Sequence, residues 1–307
     1  MNHISSIQCT NTIITVASWE ERFLLGMNQL IETIRPSNVL MFHFKEYADW
    51  SSDNRMQVSE VCERNGIKLQ GNMELSFSAP LESWKELVGQ IRQSLVPGEL
   101  ITLDVSTMPR EVIWSICHVL SQQQTPLQYV YHMPQENGYS GWLSRDPGRP
   151  RIIYRLAGIQ HLGRQTALIL QTGYDVERVK QLVRFYEPDK LLLGLQTGDQ
   201  FQNVEQNRKK HEAAFAKSKD TDLFDVDGYS LNESYHELKM RIEPLLEKYN
   251  IILSSLGPKI GALSLFMVKR TFPEVAMSYA PSNEFNRDYS KGIGALIHGI
   301  LERDLEK

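Results

Sequence analysis

Short apolar runs alternate with segments of helical periodicity along the first half of the chain. The run NTIITVA at 11–17 is rich in β-branched residues and predicts a strand. Apolar residues at helical spacing follow it, and they predict a helix that ends before Pro36. Runs at 38–44, 98–105 and 126–133 predict further strands that are apolar on both faces. Such strands, separated by helices, are typical of a parallel sheet covered on both sides.

The remaining elements follow the same alternation. In the first half the pattern predicts a short strand at 67–70 and helices at 18–34, 55–65, 81–95 and 109–123. In the second half it predicts strands at 165–171, 189–196, 250–255 and 274–280, with helices at 175–186, 231–249 and 258–270. We interpret the charged segment at 203–225 as a solvated helix and loop, and RIIYRLAGI at 151–159 as a candidate edge strand.

Similar sequences occupy matching places in the two halves. IRPSNVLMF at 34–42 corresponds to YEPDKLLLG at 186–194, and MPQENGYSG at 133–141 shares its order of Pro, Glu, Asn, Tyr-Ser and Gly with 280–292. We therefore predict an internal duplication in an α/β protein. The expected domains are a first Rossmann-like parallel-sheet half at 1–145, a linker at 146–165, and a second such half at 166–307 that ends in a helix.

Composition narrows the class of protein. The chain has 307 residues, 41% of them hydrophobic and 23% charged, which is typical of a soluble globular protein. No apolar run is long enough to span a membrane, and the N-terminus does not resemble a signal peptide. The net charge of −4 argues against bulk binding of nucleic acid. Three scattered cysteines form neither a disulfide framework nor a zinc site, so we expect a cytoplasmic protein. We also expect no bound metal and no organic cofactor.

Polar turns follow the first and fourth strands of each half, where ligands of open parallel sheets bind. Each turn opens a helix, and backbone N–H groups at a helix N-terminus form an anion site. Arg110 and Lys259 each follow a proline in the first turn of their helices, where the helix dipole disfavours a cation unless an anion is bound. Ser106 and Thr107 are alternatively helix N-caps, as is Ser18, and Trp19 either stacks on a base or covers the sheet edge.

A further candidate lies near the C-terminus. Ser290, Lys291 and Gly292 precede an apolar run that we expect to be helical, and they offer a hydroxyl, a cation and a close backbone approach. The predicted ligand-binding residues are Ser18, Trp19, Ser106, Thr107, Arg110, Thr172, Tyr174, Ser255, Lys259, Ser290 and Lys291.

Catalytic groups are harder to assign. Asp104 ends a strand, and Glu20 lies in a first helical turn; with Glu284 they are the candidate acids or bases. The eight histidines show no metal-binding spacing, no G-x-S-x-G elbow occurs, and no G-x-G-x-x-G follows a strand. The sequence therefore gives no support to hydride transfer or to a serine hydrolase.

The turn after the fourth strand resembles that of the CRISPR-associated Rossmann fold (CARF) group and the related SAVED domains. Leu103-Asp104-Val105-Ser106-Thr107 leads to Arg110, and Ser254-Ser255-Leu256-Gly257-Pro258 leads to Lys259. The resemblance implies a second ligand-contacting set at Ser18-Trp19-Glu20 and Thr172-Gly173-Tyr174. It also implies a cyclic oligonucleotide messenger enclosed between two copies of the fold, and some members of the group cleave that messenger.

Three functions follow as hypotheses. The leading one is binding of a phosphate-containing nucleotide, a cyclic oligonucleotide messenger being one such ligand, between the two halves of a sensor in bacterial defence. The second is an enzyme that acts on a nucleotide or nucleoside, either phosphodiesterase-like (a ring nuclease) or glycosidase-like. The third is a non-catalytic interaction subunit of a defence complex. The expected protein partners are a separate effector or a second copy of the chain, and no membrane is expected.

Overall fold

A computed structural model describes residues 7–135, 142, 144–197, 204–215 and 220–301. The chain forms two compact units. The first combines residues 1–141 with 287–307, and the second comprises residues 142–286. The C-terminal segment thus belongs to the first unit, whereas we expected it to belong to the second half. No helix in the described ranges has the length and hydrophobicity needed to cross a bilayer.

The first unit begins with five strands and four helices that alternate as predicted. They are β1 (Thr12–Val16), α1 (Glu21–Ile34), β2 (Asn38–Phe44), α2 (Ser52–Arg64), β3 (Lys68–Leu75), α3 (Pro80–Ser94), β4 (Ile101–Asp104), α4 (Arg110–Gln122) and β5 (Leu127–His132). The five strands are parallel in the order β5-β4-β1-β2-β3. Phe23, Met27 and Leu30 of α1 are fully buried against this sheet, because helical spacing places them on one face.

The second unit has the same plan. Its elements are β6 (Ser144–Pro147), β7 (Arg151–Ile152), β8 (Gln165–Gln171), α5 (Val176–Tyr186), β9 (Lys190–Gln196), α6 (Val204–Phe215), β10 (Thr221–Val226), α7 (Leu231–Ile242), β11 (Tyr249–Ser255), α8 (Lys259–Thr271), β12 (Ala276–Tyr279) and β13 (Ser282–Phe285). Five strands are parallel in the order β10-β9-β8-β11-β12. β7 pairs antiparallel with β12, which confirms the predicted edge strand.

Two predictions about the charged and C-terminal segments need correction. The segment 203–225 contains α6 as expected, but Thr221–Val226 forms strand β10 instead of a loop. The run after Gly292 is not a helix, because β14 (Leu296–Leu301) pairs antiparallel with β5 along its whole length. Gly299 permits this close pairing, since a Cβ there would lie 2.7 Å from the Tyr129 hydroxyl.

The two sheets therefore share one strand order. Each has five parallel strands and a sixth, antiparallel strand on the outer side of the fifth. The segment that follows β12 along the chain supplies β14 to the first unit, and the segment that follows β5 supplies β7 to the second. β6 and β13, which occupy corresponding places after these fifth strands, pair with each other. An internal duplication remains our prediction for the origin of this shared order.

Candidate functional site

Strand order places the candidate site of the first unit at the carboxyl ends of β1 and β4. These strands are neighbours, but the connections that leave them run in opposite directions across the sheet. β1 leads to β2 on one side, and β4 leads to β5 on the other. Thr107 in the turn after β4 donates a hydrogen bond from its Oγ1 to the carbonyl of Val16, at 3.4 Å. The turns after β1 and β4 therefore lie side by side.

Asp104 organises this edge of the sheet. Its carboxylate accepts hydrogen bonds from the Thr15 hydroxyl at 3.2 Å, from the Ser106 backbone N–H at 3.0 Å and from the Ser106 hydroxyl at 2.5 Å. The side chain is almost completely buried. Because these donors occupy both oxygens, Asp104 holds the ends of β1 and β4 together; the structure gives no indication that it contacts a reactant.

Ser106 joins Asp104 to His132 at the end of β5. The single hydroxyl proton of Ser106 is directed to Asp104, so its oxygen accepts from the His132 backbone N–H at 2.8 Å and faces Nδ1 at 3.3 Å. Nδ1 therefore carries the imidazole proton, and Nε2 is an acceptor that has no partner among the described residues. Burial lowers the pKa of His132, Asp104 raises it and Arg22 lowers it. A serine nucleophile would need the opposite order, with histidine between serine and aspartate.

Arg22 and Glu20 connect the edge to the C-terminal segment. Nη2 of Arg22 is 2.9 Å from Glu20 Oε2, and Nη1 donates to the His132 carbonyl at 3.2 Å. The Ser290 hydroxyl donates to the same Glu20 oxygen, and the Gly292 N–H donates to Glu21 at 2.9 Å. Ser290 and the loop around it thus lie over the start of α1.

Tyr289, in the same segment, lies within the electrostatic influence of the predicted cation Arg110. Burial raises the pKa of the Tyr289 phenol; Tyr131 and Glu20 act in the same direction, and Arg22 and Arg110 oppose them. Arg110 is the first residue of α4, in the first turn as predicted, and it is 7% exposed. The charges of Arg22 and Arg110 therefore both act on one phenol at the carboxyl edge.

Four aromatic rings form a cluster beside these turns, and we call it the aromatic cluster. Trp19 after β1 lies 5.1 Å from both Tyr47 and Trp50, measured between ring centroids, and Tyr47 lies 5.9 Å from Phe77 after β3. All four rings are only partly buried. The guanidinium of Arg287 stands 3.7 Å above the Trp50 ring, so one face of Trp50 already carries a flat cationic group.

The predicted helix caps are wrong. α1 begins at Glu21, and Ser18 lies two residues outside it, where its hydroxyl accepts from the Glu20 N–H at 3.2 Å. α4 has Pro109 as its N-cap residue, without a side-chain cap, so neither Ser106 nor Thr107 caps it. Because Pro109 is the N-cap residue of α4, Ser106 and Thr107 lie in the turn before that helix, and Ser18 lies in the turn before α1.

The second unit repeats the arginine but not the acidic network. Arg178 in the first turn of α5 donates from Nη2 to the carbonyl of Ala280, just after β12, and its guanidinium lies 5.7 Å from the Tyr279 ring centroid. Arg22 has the corresponding contacts with His132 and with Tyr131, at 5.8 Å. Strand registers match Asp104 to Ser254 and His132 to Ala280, so the carboxylate and imidazole are absent from these positions of the second unit.

The turns of the second unit are packed tightly against each other. A Cβ on Gly173 would lie 1.9 Å from the Leu256 carbonyl, and the Thr172 hydroxyl donates to the Gly194 carbonyl at 2.8 Å. Ser255 is fully buried, and its hydroxyl has no hydrogen-bond partner in the described ranges. Ligand binding by Thr172 and Ser255 remains a prediction, and it would require these turns to separate.

The other predicted residues lie at different depths. Lys259 is the first residue of α8, which matches Arg110, and it is half-buried. Tyr174 is half-buried, with Lys210 Nζ 4.9 Å from its ring centroid. Lys291 is exposed, and its backbone carbonyl accepts a hydrogen bond from the Gln135 N–H. Glu284 is exposed on β13 of the second unit.

Sequence reasoning missed part of this arrangement. Arg22 and Arg178 are cations in first helical turns, and the dipole argument that selected Arg110 would also have found them. Tyr47 and Trp50 lie in the connection after β2 and Phe77 lies in the connection after β3, and only the fold brings them to Trp19. Comparison with protein-family models and with curated proteins finds no match for this chain.

Proposed function

We propose that the protein binds a phosphate-containing nucleotide at the carboxyl edge of the first unit. The observation that carries the proposal is the partly exposed aromatic cluster on loops that adjoin the polar turns after β1 and β4. Nucleotides combine a flat base with an anionic phosphate, and this edge offers groups suited to each. Its position, where adjacent crossovers diverge, is also where open parallel sheets bind ligands.

The base would stack on the aromatic cluster. Stacking of one base on an aromatic side chain contributes about 1–3 kcal/mol. Trp19 and Trp50 are partly exposed, and the guanidinium of Arg287 lies over Trp50 as a base would. In this proposal the base replaces Arg287 or stacks on the other face of the ring.

The phosphate would bind near the start of α4. Thr107 is half-buried in the turn, and Arg110 occupies the first helical position, where the helix dipole and backbone N–H groups favour an anion. Ser106 has a different role from the one expected, because its hydroxyl is saturated by Asp104 and His132. Ser18, beside Trp19, completes the proposed contact set in this unit.

The finer identity of the ligand rests on the resemblance to CARF and SAVED domains. It favours a cyclic oligonucleotide messenger and a sensor in bacterial defence. Ligand binding by Tyr174, Lys259, Thr172 and Ser255 of the second unit stays a prediction from that resemblance. An enzyme that acts on the same ligand would turn it over without a partner, whereas an interaction subunit would bind no nucleotide. One experiment distinguishes these three hypotheses.

The experiment starts with mass spectrometry of small molecules released from the purified, denatured protein. A thermal-shift screen of mononucleotides, dinucleotides and cyclic oligonucleotides follows, and calorimetry then measures the affinity of each hit for Trp50→Leu. Trp142→Leu is the matched control, because Trp142 is also half-buried beneath an arginine, Arg145, but lies in the second unit. We expect about 5- to 150-fold weaker binding for Trp50→Leu, the equivalent of one lost stack.

The outcomes separate the hypotheses. Weaker binding by Trp50→Leu and Arg110→Ala, with an unchanged Trp142→Leu control, would support the proposal. Conversion of the bound ligand during incubation would favour the enzyme. Equal affinity in all variants, or no nucleotide hit, would refute the proposed site.

A further inference from the structure

A second concave region lies on the first unit, between α2 and the β2–β3 pair. Its cavity has a volume of about 450 Å³, within the range of about 300–1,000 Å³ that small-molecule sites have. Its lining residues come from one face of the helix and from the two strands: Met41, Ser52, Arg55, Met56, Ser59, Leu69 and Gly71. Asn54, on another face of α2, binds the turn after β1 through the carbonyls of Ser18 and Glu20. The cavity is therefore separate from the aromatic cluster.

A β-bulge lies beside this cavity. The register of β2 and β3 shifts between Leu40 and Phe42, because β3 has one more residue there than β2. Gly71 lies within the shift and lines the cavity. A Cβ at Gly71 would lie at ordinary contact distances from Leu69 and Met41, at 3.7 and 3.8 Å, so the space beside its backbone could hold a methyl group.

Arg55 places a positive charge in the cavity wall. Its Nη2 donates a hydrogen bond to the Ala48 carbonyl at 3.0 Å. No carboxylate forms an ion pair with it within the described ranges, and its buried Nε has no partner there. A buried guanidinium N–H that lacks an acceptor destabilises the protein unless a bound anion or water supplies one.

The rest of the lining combines apolar side chains with a hydroxyl group. Met41 and Leu69 supply apolar surface from the strands, and Met56, which is 58% exposed, supplies it from the helix. Ser59 offers an exposed hydroxyl one turn beyond Arg55. Methionine side chains adapt to ligands of different shapes, so this surface suits an apolar body next to a charged head.

We infer that this cavity binds a small anionic amphiphile, with a carboxylate or phosphate-monoester head on Arg55 and an apolar body against Met41, Met56 and Leu69. The Ser59 hydroxyl is a second donor to the head. The lining of this site shares no residue with the proposed nucleotide contacts.

Methionine methyl NMR tests this inference directly. Protein labelled with ¹³C at the methionine methyl groups is titrated with octanoate, hexyl phosphate, inorganic phosphate and octylamine, and Met41→Leu and Met56→Leu assign the two signals. We expect saturable shifts of both signals with octanoate and hexyl phosphate, weaker effects with inorganic phosphate, and none with octylamine. The two amphiphiles distinguish a carboxylate head from a phosphate head.

Three variants establish the location. Arg55→Gln should weaken binding by about tenfold or more, as expected when a charge-assisted hydrogen bond is lost. Ser59→Trp should abolish binding by filling the cavity, whereas Glu60→Trp, on the neighbouring exposed position, should leave it unchanged. Equal shifts with octylamine, an unaffected Ser59→Trp, or no shift with any anion would overturn the inference.

Discussion

Gly26 lies in the middle of α1 against the ring of His132. A Cβ at Gly26 would lie 2.8 Å from Nδ1 and 3.1 Å from Cε1 of that ring. The ring cannot easily move away, because it is fully buried and Ser106 holds both its Nδ1 and the His132 backbone N–H. Gly26→Ala therefore tests whether the network from Asp104 to His132 is as closely packed as the contacts indicate.

Two effects oppose each other in this substitution. Alanine stabilises a helix interior by about 0.5–1 kcal/mol relative to glycine, whereas an extra methyl in a filled core destabilises by about 1–3 kcal/mol. The second effect is larger, so Gly26→Ala should lower the free energy of unfolding by about 1–2 kcal/mol. Gly89→Ala in α3 is the matched control, because nothing lies within 4 Å of its Cβ position. It should stabilise the protein by about 0.5–1 kcal/mol.

Urea unfolding of both variants measures these changes. A third variant, His132→Ala, removes the ring, and in that background Gly26→Ala should become stabilising, as Gly89→Ala is. If Gly26→Ala stabilises the protein in the presence of His132, the contact between Gly26 and the ring is not tight. The close packing of the network from Asp104 to His132 is then refuted.

Three further predictions concern packing and titration. Gly173→Ala should destabilise the second unit by about 3 kcal/mol or more, since its Cβ would meet the Leu256 carbonyl, whereas Gly71→Ala should change the thermal midpoint little. Burial lowers the pKa of His43, His132, His211 and His298. The unfolded chain therefore binds more protons below about pH 6.5, and the free energy of unfolding should fall as the pH decreases from there toward the folded-state pKa values. His211→Leu should reduce that fall, and an unchanged pH profile would contradict it. Burial raises the pKa of Cys62 to about 11, so Ellman's reagent at pH 8 should modify the exposed Cys9 first and Cys62 only after unfolding.

The alternation of strands and helices could be predicted because it depends on local patterns. Continuous apolar runs such as 38–44 and the helical spacing of Phe23, Met27 and Leu30 both led to elements that the structure contains. The edge strand at Arg151–Ile152 was also predicted correctly. β10 was missed because three of its six residues are charged or hydroxyl-bearing and its outer face is solvated.

The C-terminal strand and the site geometry could not be predicted from local sequence. The run at 296–301 suits either a helix or a strand, and the unpaired edge of β5, far away in sequence, decides for a strand. In the same way, Tyr47, Trp50 and Phe77 become neighbours of Trp19 only through the sheet order. The prolines at 109 and 258 fixed the positions of Arg110 and Lys259 because proline sets the backbone just before each helix begins.

Hydrogen–deuterium exchange with and without a saturating nucleotide from the screen tests the central claim most directly, because it locates the ligand on the chain. Binding as proposed protects the backbone amides at 17–22, 45–51 and 105–112, and Trp50→Leu diminishes that protection while Trp142→Leu does not. Protection confined to other segments, or none in the presence of ligand, would contradict a nucleotide site at the carboxyl edge of the first unit.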